Sequence, residues 1–109
     1  MNLYEKVQAL RAIQRRYLPH LTSLEDFDIV TAIGYNQEKG NPSTLKGLML
    51  LHIGSAATIH RRLTRLKRLG IVLQNRSSHD RRHIELTISE KTRTAYNRKR
   101  PLFGLRSGD

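Results

Sequence analysis

Residues 55–70 read SAATIHRRLTRLKRLG, from Ser55 to Gly70, and the chain continues IVLQNRSSHDRRHIELTI from Ile71 to Ile88. In the first run Ile59, Leu63, Leu66 and Leu69 recur at offsets of four, three and three, which places them on one face of an α-helix. Ser55 is a favourable N-cap and Gly70 a natural C-terminal stop, so the run predicts a helix over 55–69, about 22 Å long. In the second run the period changes to two. Ile71-Val72-Leu73 is rich in β-formers, residues 75–80 read as a polar turn, and Ile84, Leu86 and Ile88 alternate with His83, Glu85 and Thr87. That pattern predicts a β-hairpin.

Working outward, Leu3, Val7, Leu10, Ile13 and Tyr17 form an apolar stripe at three- and four-residue spacing, so residues 3–18 read as an amphipathic helix ended by Pro19. Thr22 with Glu25 has the form of a capping box, and Leu24, Phe27, Ile29, Val30 and Ile33 supply the apolar face of a second helix. Gly34 and then Lys39-Gly40-Asn41-Pro42 mark its fraying and the loop that follows. A third, shorter helix is expected from Ser43 or Thr44, carrying Leu45, Leu48, Met49 and Leu51 and stopped by Gly54. Thr87 with Glu90 repeats the capping-box form and opens a last helix that Pro101 ends.

Two short helices joined through Gly54 and Ser55, with a basic hairpin directly after, are the element order of a winged helix-turn-helix: mainly α, with a small β-hairpin wing. At 109 residues the expectation is one domain. Residues 1–42 hold the N-terminal helices, 43–87 the helix-turn-helix and wing, 88–100 the C-terminal helix and 101–109 a tail. No stretch approaches the roughly 20 apolar residues of a membrane span, and no basic-then-apolar leader is present, so the expected location is the cytoplasm, with the nucleoid. The absence of cysteine rules out disulfides and thiolate metal sites.

The charge is uneven. Residues 1–54 hold six Lys/Arg against five Asp/Glu, a balance of +1, whereas residues 55–109 hold fourteen against four and carry +10 of the net +11. A polyanionic partner therefore meets the second half, and nucleic acid fits best because neutralised phosphates release condensed counterions. Subtracting the apolar face of helix 55–69 leaves Ser55, Ala56, Ala57, Thr58, His60, Arg61, Arg62, Thr64, Arg65, Lys67 and Arg68. Small residues come first and long cations later, with no acid among them. The first turn can approach base edges while the arginines reach bases or phosphates on either side. The candidate DNA-binding residues on this helix are Ser55, Ala57, Thr58, His60, Arg61, Arg62 and Arg65. In the hairpin they are Arg76, Asp80, Arg81 and Arg82.

The run from Ser55 to Val72 resembles the recognition helix of the MarR (multiple antibiotic resistance regulator) family, and Asp80-Arg81-Arg82-His83-Ile84-Glu85-Leu86-Thr87 is similar to that family's wing signature, Asp-x-Arg followed by Leu-Thr. The resemblance covers about residues 43–94. It implies a sequence-specific transcription regulator, a repressor in the leading reading, that binds double-stranded DNA as a homodimer. It also implies that Arg82 enters the minor groove and that Asp80 holds it by a bidentate pair; as an ordinary turn residue, Asp80 would instead cap the backbone. Family members dimerise through the first helix and the last two. Because this sequence breaks at Pro101 and ends at Asp109, the stripe of Leu3, Val7, Leu10, Ile13 and Tyr17 is expected to supply more of the interface, or dimerisation to be weak. A small-molecule effector is left open, with no residue pointing to one.

Other constellations carry less. His79 and His83 flank Asp80, but zinc needs three or four convergent ligands, so no metal or other cofactor is expected. No Gly-rich phosphate loop, cysteine nucleophile or carboxylate pair beside a histidine supports an enzyme. The competing function is an architectural or replication-associated winged helix that grips DNA with little sequence choice.

Overall fold

The computed structural model describes residues 2–77 and 83–97. The described elements run α1 (Leu3–Tyr17), α2 (Leu24–Glu38), α3 (Leu45–Leu50), α4 (Ala56–Arg68), β1 (Val72–Arg76), β2 (Ile84–Ile88) and α5 (Glu90–Asn97). They fall into two compact units. One is Ser23–Ser89; the other comprises the residues up to Thr22 and those from Glu90 onward. The sequence reading grouped α2 with the N-terminal helix in residues 1–42. In the structure α2 belongs to the helix-turn-helix unit, because its buried face of Ile29, Val30 and Ile33 packs on α4 and β2.

Within Ser23–Ser89 the core is built from α2, Leu48 of α3, Ile59, Leu63 and Leu66 of α4, and Ile71, Val72, Leu86 and Ile88 of the hairpin. The two strands are antiparallel, with Val72 opposite Ile88, Gln74 opposite Leu86 and Arg76 opposite Ile84. Ser43 adds a single bridge to Leu86, its carbonyl accepting from the Leu86 N–H at 2.8 Å. The C-terminal end of α2 fastens this sheet: Gln37 Oε1 accepts from the Ile88 N–H at 2.7 Å, and Asn36 Nδ2 donates to Ser43 Oγ at 2.9 Å. These side chains satisfy polar groups at a sheet margin.

Helix ends follow local chemistry, with corrections to the expected positions. Ser23, not Thr22, caps α2, its Oγ accepting from the Asp26 N–H at 3.1 Å. Gly34 does not fray the helix, which continues to Glu38; an added Cβ at Gly34 would stand 3.8 Å from Ile88 Cγ1, so this position faces β2. The stop comes at Gly40, whose φ of +77° allows the Gly40 and Asn41 N–H groups to bond back to Gln37 and Asn36. α3 starts after Thr44 and ends at Leu50, and the chain reverses at His52 with φ +56°, two residues before the expected Gly54. Thr87 lies inside β2 and pairs with Leu73, so α5 opens at Glu90 without the expected Thr87 cap. β1 runs to Arg76 because the pairing extends beyond the apolar triplet, and Ser77 donates its N–H to the His83 carbonyl at 2.8 Å.

In the other unit α1 is capped by Asn2, whose Oδ1 accepts from the Glu5 N–H at 2.9 Å while its Nδ2 donates to Glu5 Oε1. Its stripe is not uniform. Leu3 is 71% and Val7 46% exposed, Leu10 is half-buried and Ile13 is buried. The Tyr17 side chain lies outside the described part. Among the described residues no helix is long and apolar enough to cross a membrane.

Candidate nucleic-acid interface

The orientation of α4 follows from both of its ends. At its start Ser55 Oγ accepts from the Thr58 N–H at 3.1 Å and donates to Thr58 Oγ1 at 3.0 Å, so two of the predicted contact residues are also the helix cap. At its end the Gly70 N–H bonds to the Lys67 carbonyl and the Ile71 N–H to the Leu66 carbonyl, with Gly70 at φ +75°. That is a Schellman closure, and its apolar partners Leu66 and Ile71 are both buried. Leu69, expected on the core face, is the C-cap and is 39% exposed, because the chain is already turning away.

Successive residues of α4 advance by about 100°, which divides the helix into four faces. Ile59, Leu63 and Leu66 are buried. One flank faces the hairpin: Lys67 Nζ donates to Gln74 Oε1 at 2.9 Å. His60, Leu63, Thr64 and Lys67 line a groove of about 170 Å³ with Leu45 and with Gln74, Ile84 and Leu86 of the hairpin. The opposite flank faces α2. There Asp26, completely buried, accepts from Arg65 at 3.4 Å on its Oδ2, and Arg62 lies 3.9 Å from the same oxygen. What remains, pointing away from the core, is the ridge Ala57, Arg61 and Arg68, with Thr64 at its border with the groove, all exposed.

The predicted residues therefore separate. Ser55, Ala57, His60 and Arg61 are exposed on or beside the ridge. Thr58 is half-buried in the cap. Arg62 and Arg65, candidates for contact with bases or phosphates, have guanidinium nitrogens 3.9 and 3.4 Å from Asp26 Oδ2, because their positions on the helix turn toward α2. Thr64 and Arg68 are not among the residues expected from the sequence to contact DNA, yet they share this exposed side; Arg68 lies seven residues, two turns, beyond Arg61, a spacing that marks the same face. Thr64 donates its hydroxyl to the His60 carbonyl at 2.8 Å. In the hairpin Arg76 is exposed at the end of β1, opposite Ile84. Asp80, Arg81 and Arg82 lie outside the described residues.

No protein-family profile matches the chain, and no curated protein matches it. Solved structures do. The chain is similar to MarR (20% identity, 92% of this chain and 68% of that one covered, TM-score 0.58). It is also similar to a transcriptional regulator from Thermotoga maritima (22% identity, 86% and 64% covered, TM-score 0.61). A third match is S. aureus MepR in its complex with DNA (10% identity, 94% and 73% covered, TM-score 0.61). The chain thus spans about two thirds to three quarters of the length of these proteins. It has the winged-helix fold of the MarR-type regulators, with five helices and a two-stranded antiparallel wing among the described residues.

Proposed function

We propose that this chain is a sequence-selective, double-stranded-DNA-binding transcription regulator, with the α4 ridge in the major groove and the hairpin wing at the adjacent minor groove. The observation that carries it is the ridge itself: Ala57, Arg61, Thr64 and Arg68 form an exposed, acid-free surface on a helix whose other three sides are committed to the core, the hairpin and α2. A small residue near the first turn permits close backbone approach, and arginines placed beyond it have the bidentate geometry that reads guanine. The fold supports the same reading, since MepR with this fold is solved bound to DNA. Arg76 and, by the resemblance of the wing, Arg82 held by Asp80 contribute the minor-groove contacts. Two copies joined through the exposed part of α1, Leu3 and Val7, set two ridges on one duplex, and occupancy of that duplex represses. No enzyme activity, metal or membrane enters this function.

The test is duplex binding followed by anisotropy over a range of salt concentrations, with single-stranded DNA and duplex RNA as competitors. Duplex DNA is expected to bind most tightly, with log K falling linearly as log salt rises. Equal or tighter binding to single strands or RNA would remove the major-groove assignment.

A further inference from the structure

The ion cluster between α2 and α4 has a role beyond holding two helices together. Asp26 is the third residue of α2, fully buried, and its Oδ2 is shared by Arg65 at 3.4 Å and Arg62 at 3.9 Å. The two arginine side chains are only 29% and 32% exposed, and the Arg62 Nε is buried with no hydrogen-bond partner. Here two cations of the most basic element in the chain have one carboxylate between them, on the side of α4 away from the hairpin.

We infer that Asp26 is a positioning residue that sets DNA discrimination: by retaining Arg62 and Arg65 on the α2 flank, it limits the α4 arginines offered to the duplex to Arg61 and Arg68 of the ridge. The inference rests on the DNA-binding function proposed above. Its physical content is a trade. Free guanidinium groups at the flank would add attraction for any phosphate backbone, whatever its sequence, and so raise non-specific binding faster than specific binding. A buried carboxylate suppresses that contribution and fixes the helix azimuth that brings Arg61 to base edges. An ion pair of this kind is weak evidence for a role in stability, which leaves the setting of helix registry as the role argued for Asp26.

The experiment uses the full chain and its Asp26→Asn, Asp26→Glu and Arg65→Gln variants, each titrated with its preferred duplex and with random duplex at several salt concentrations. Asp26→Asn is expected to tighten random-duplex binding by about tenfold at low salt and to steepen its log–log salt slope by about one to two, one per arginine released. Specific binding gains less, so the ratio of specific to random affinity falls. Asp26→Glu keeps the carboxylate and is expected to retain most of that ratio. Arg65→Gln leaves Arg62 on Asp26 and should lower the salt slope by far less than the roughly 0.9 expected for loss of a phosphate contact, which keeps the inference testable if Asp26→Asn does not fold. A folded Asp26→Asn with unchanged slope and ratio, or an Arg65→Gln that loses a full contact, would overturn it. A wild-type chain that binds no duplex would instead overturn the proposed function, and the two failures are told apart by the wild-type titration.

Discussion

Arg61 and Arg68 lie two turns apart on one exposed ridge, and their distances from the narrow first turn give them different tasks. Arg61 follows Ala57 by four residues and Arg68 is in the last turn; on the proposed DNA-binding function, Arg61 is assigned to a base edge and Arg68 to a backbone phosphate. Arg61→Ala is therefore expected to cost about 1–3 kcal/mol on the preferred duplex and much less on random DNA. Arg68→Ala should weaken both by similar factors and reduce the salt slope by about 0.9. Titrations of the two variants on both duplexes check this, and equal behaviour of the pair would remove the distinction. The arginines also mark the limit of what a sequence reveals at this scale. Five Lys/Arg side chains follow one another on α4, and periodicity tells which ones avoid the core. It does not tell which flank meets a carboxylate thirty-nine residues earlier, because that contact is made by the tertiary packing of α2 on α4.

At the scale of the elements, the two ends of α4 were the most legible feature and those of the second helix the least. Ser55 and Gly70 bound α4 as their types suggest, since the hydroxyl cap and the left-handed turn are both local. Gly34 misled because its low helix propensity is worth only about 1 kcal/mol, and the packing of α2 on β2 outweighs it. The two glycines consequently respond oppositely to alanine. Gly34→Ala places a Cβ in ordinary contact with Ile88 at helical φ and is expected to raise stability by about 0.5–1 kcal/mol. Gly70→Ala forces a side chain to φ +75° and should lower it by about 1–2 kcal/mol. Urea unfolding of both variants measures the signs; destabilisation by Gly34→Ala would show that the α2–β2 contact is tighter than described. The bridge at Ser43 escaped sequence reading altogether, because one residue cannot show a strand period.

For the whole molecule, the uneven charge and the order of elements were enough to indicate a reading head, while the proposed pairing of two of them rests on a single amphipathic helix. Of its described side chains, Ile13 is buried and Leu10 half-buried, and Leu3 and Val7 are the exposed apolar positions of the stripe. Replacing both, Leu3→Glu with Val7→Glu, is expected to shift the protein toward monomer in sedimentation velocity while leaving its helix content unchanged. The same variant should lose affinity for a two-fold-symmetric site more than for a half-site, because only the former uses two ridges. The measurement that bears most directly on the central claim is selection of bound duplexes from a random pool with the unaltered chain. Enrichment of an inverted repeat with half-sites about one helical turn apart is the predicted result. A pool that stays unenriched after repeated rounds, although the protein retains DNA, would contradict it and identify a winged helix that grips DNA without choosing its sequence.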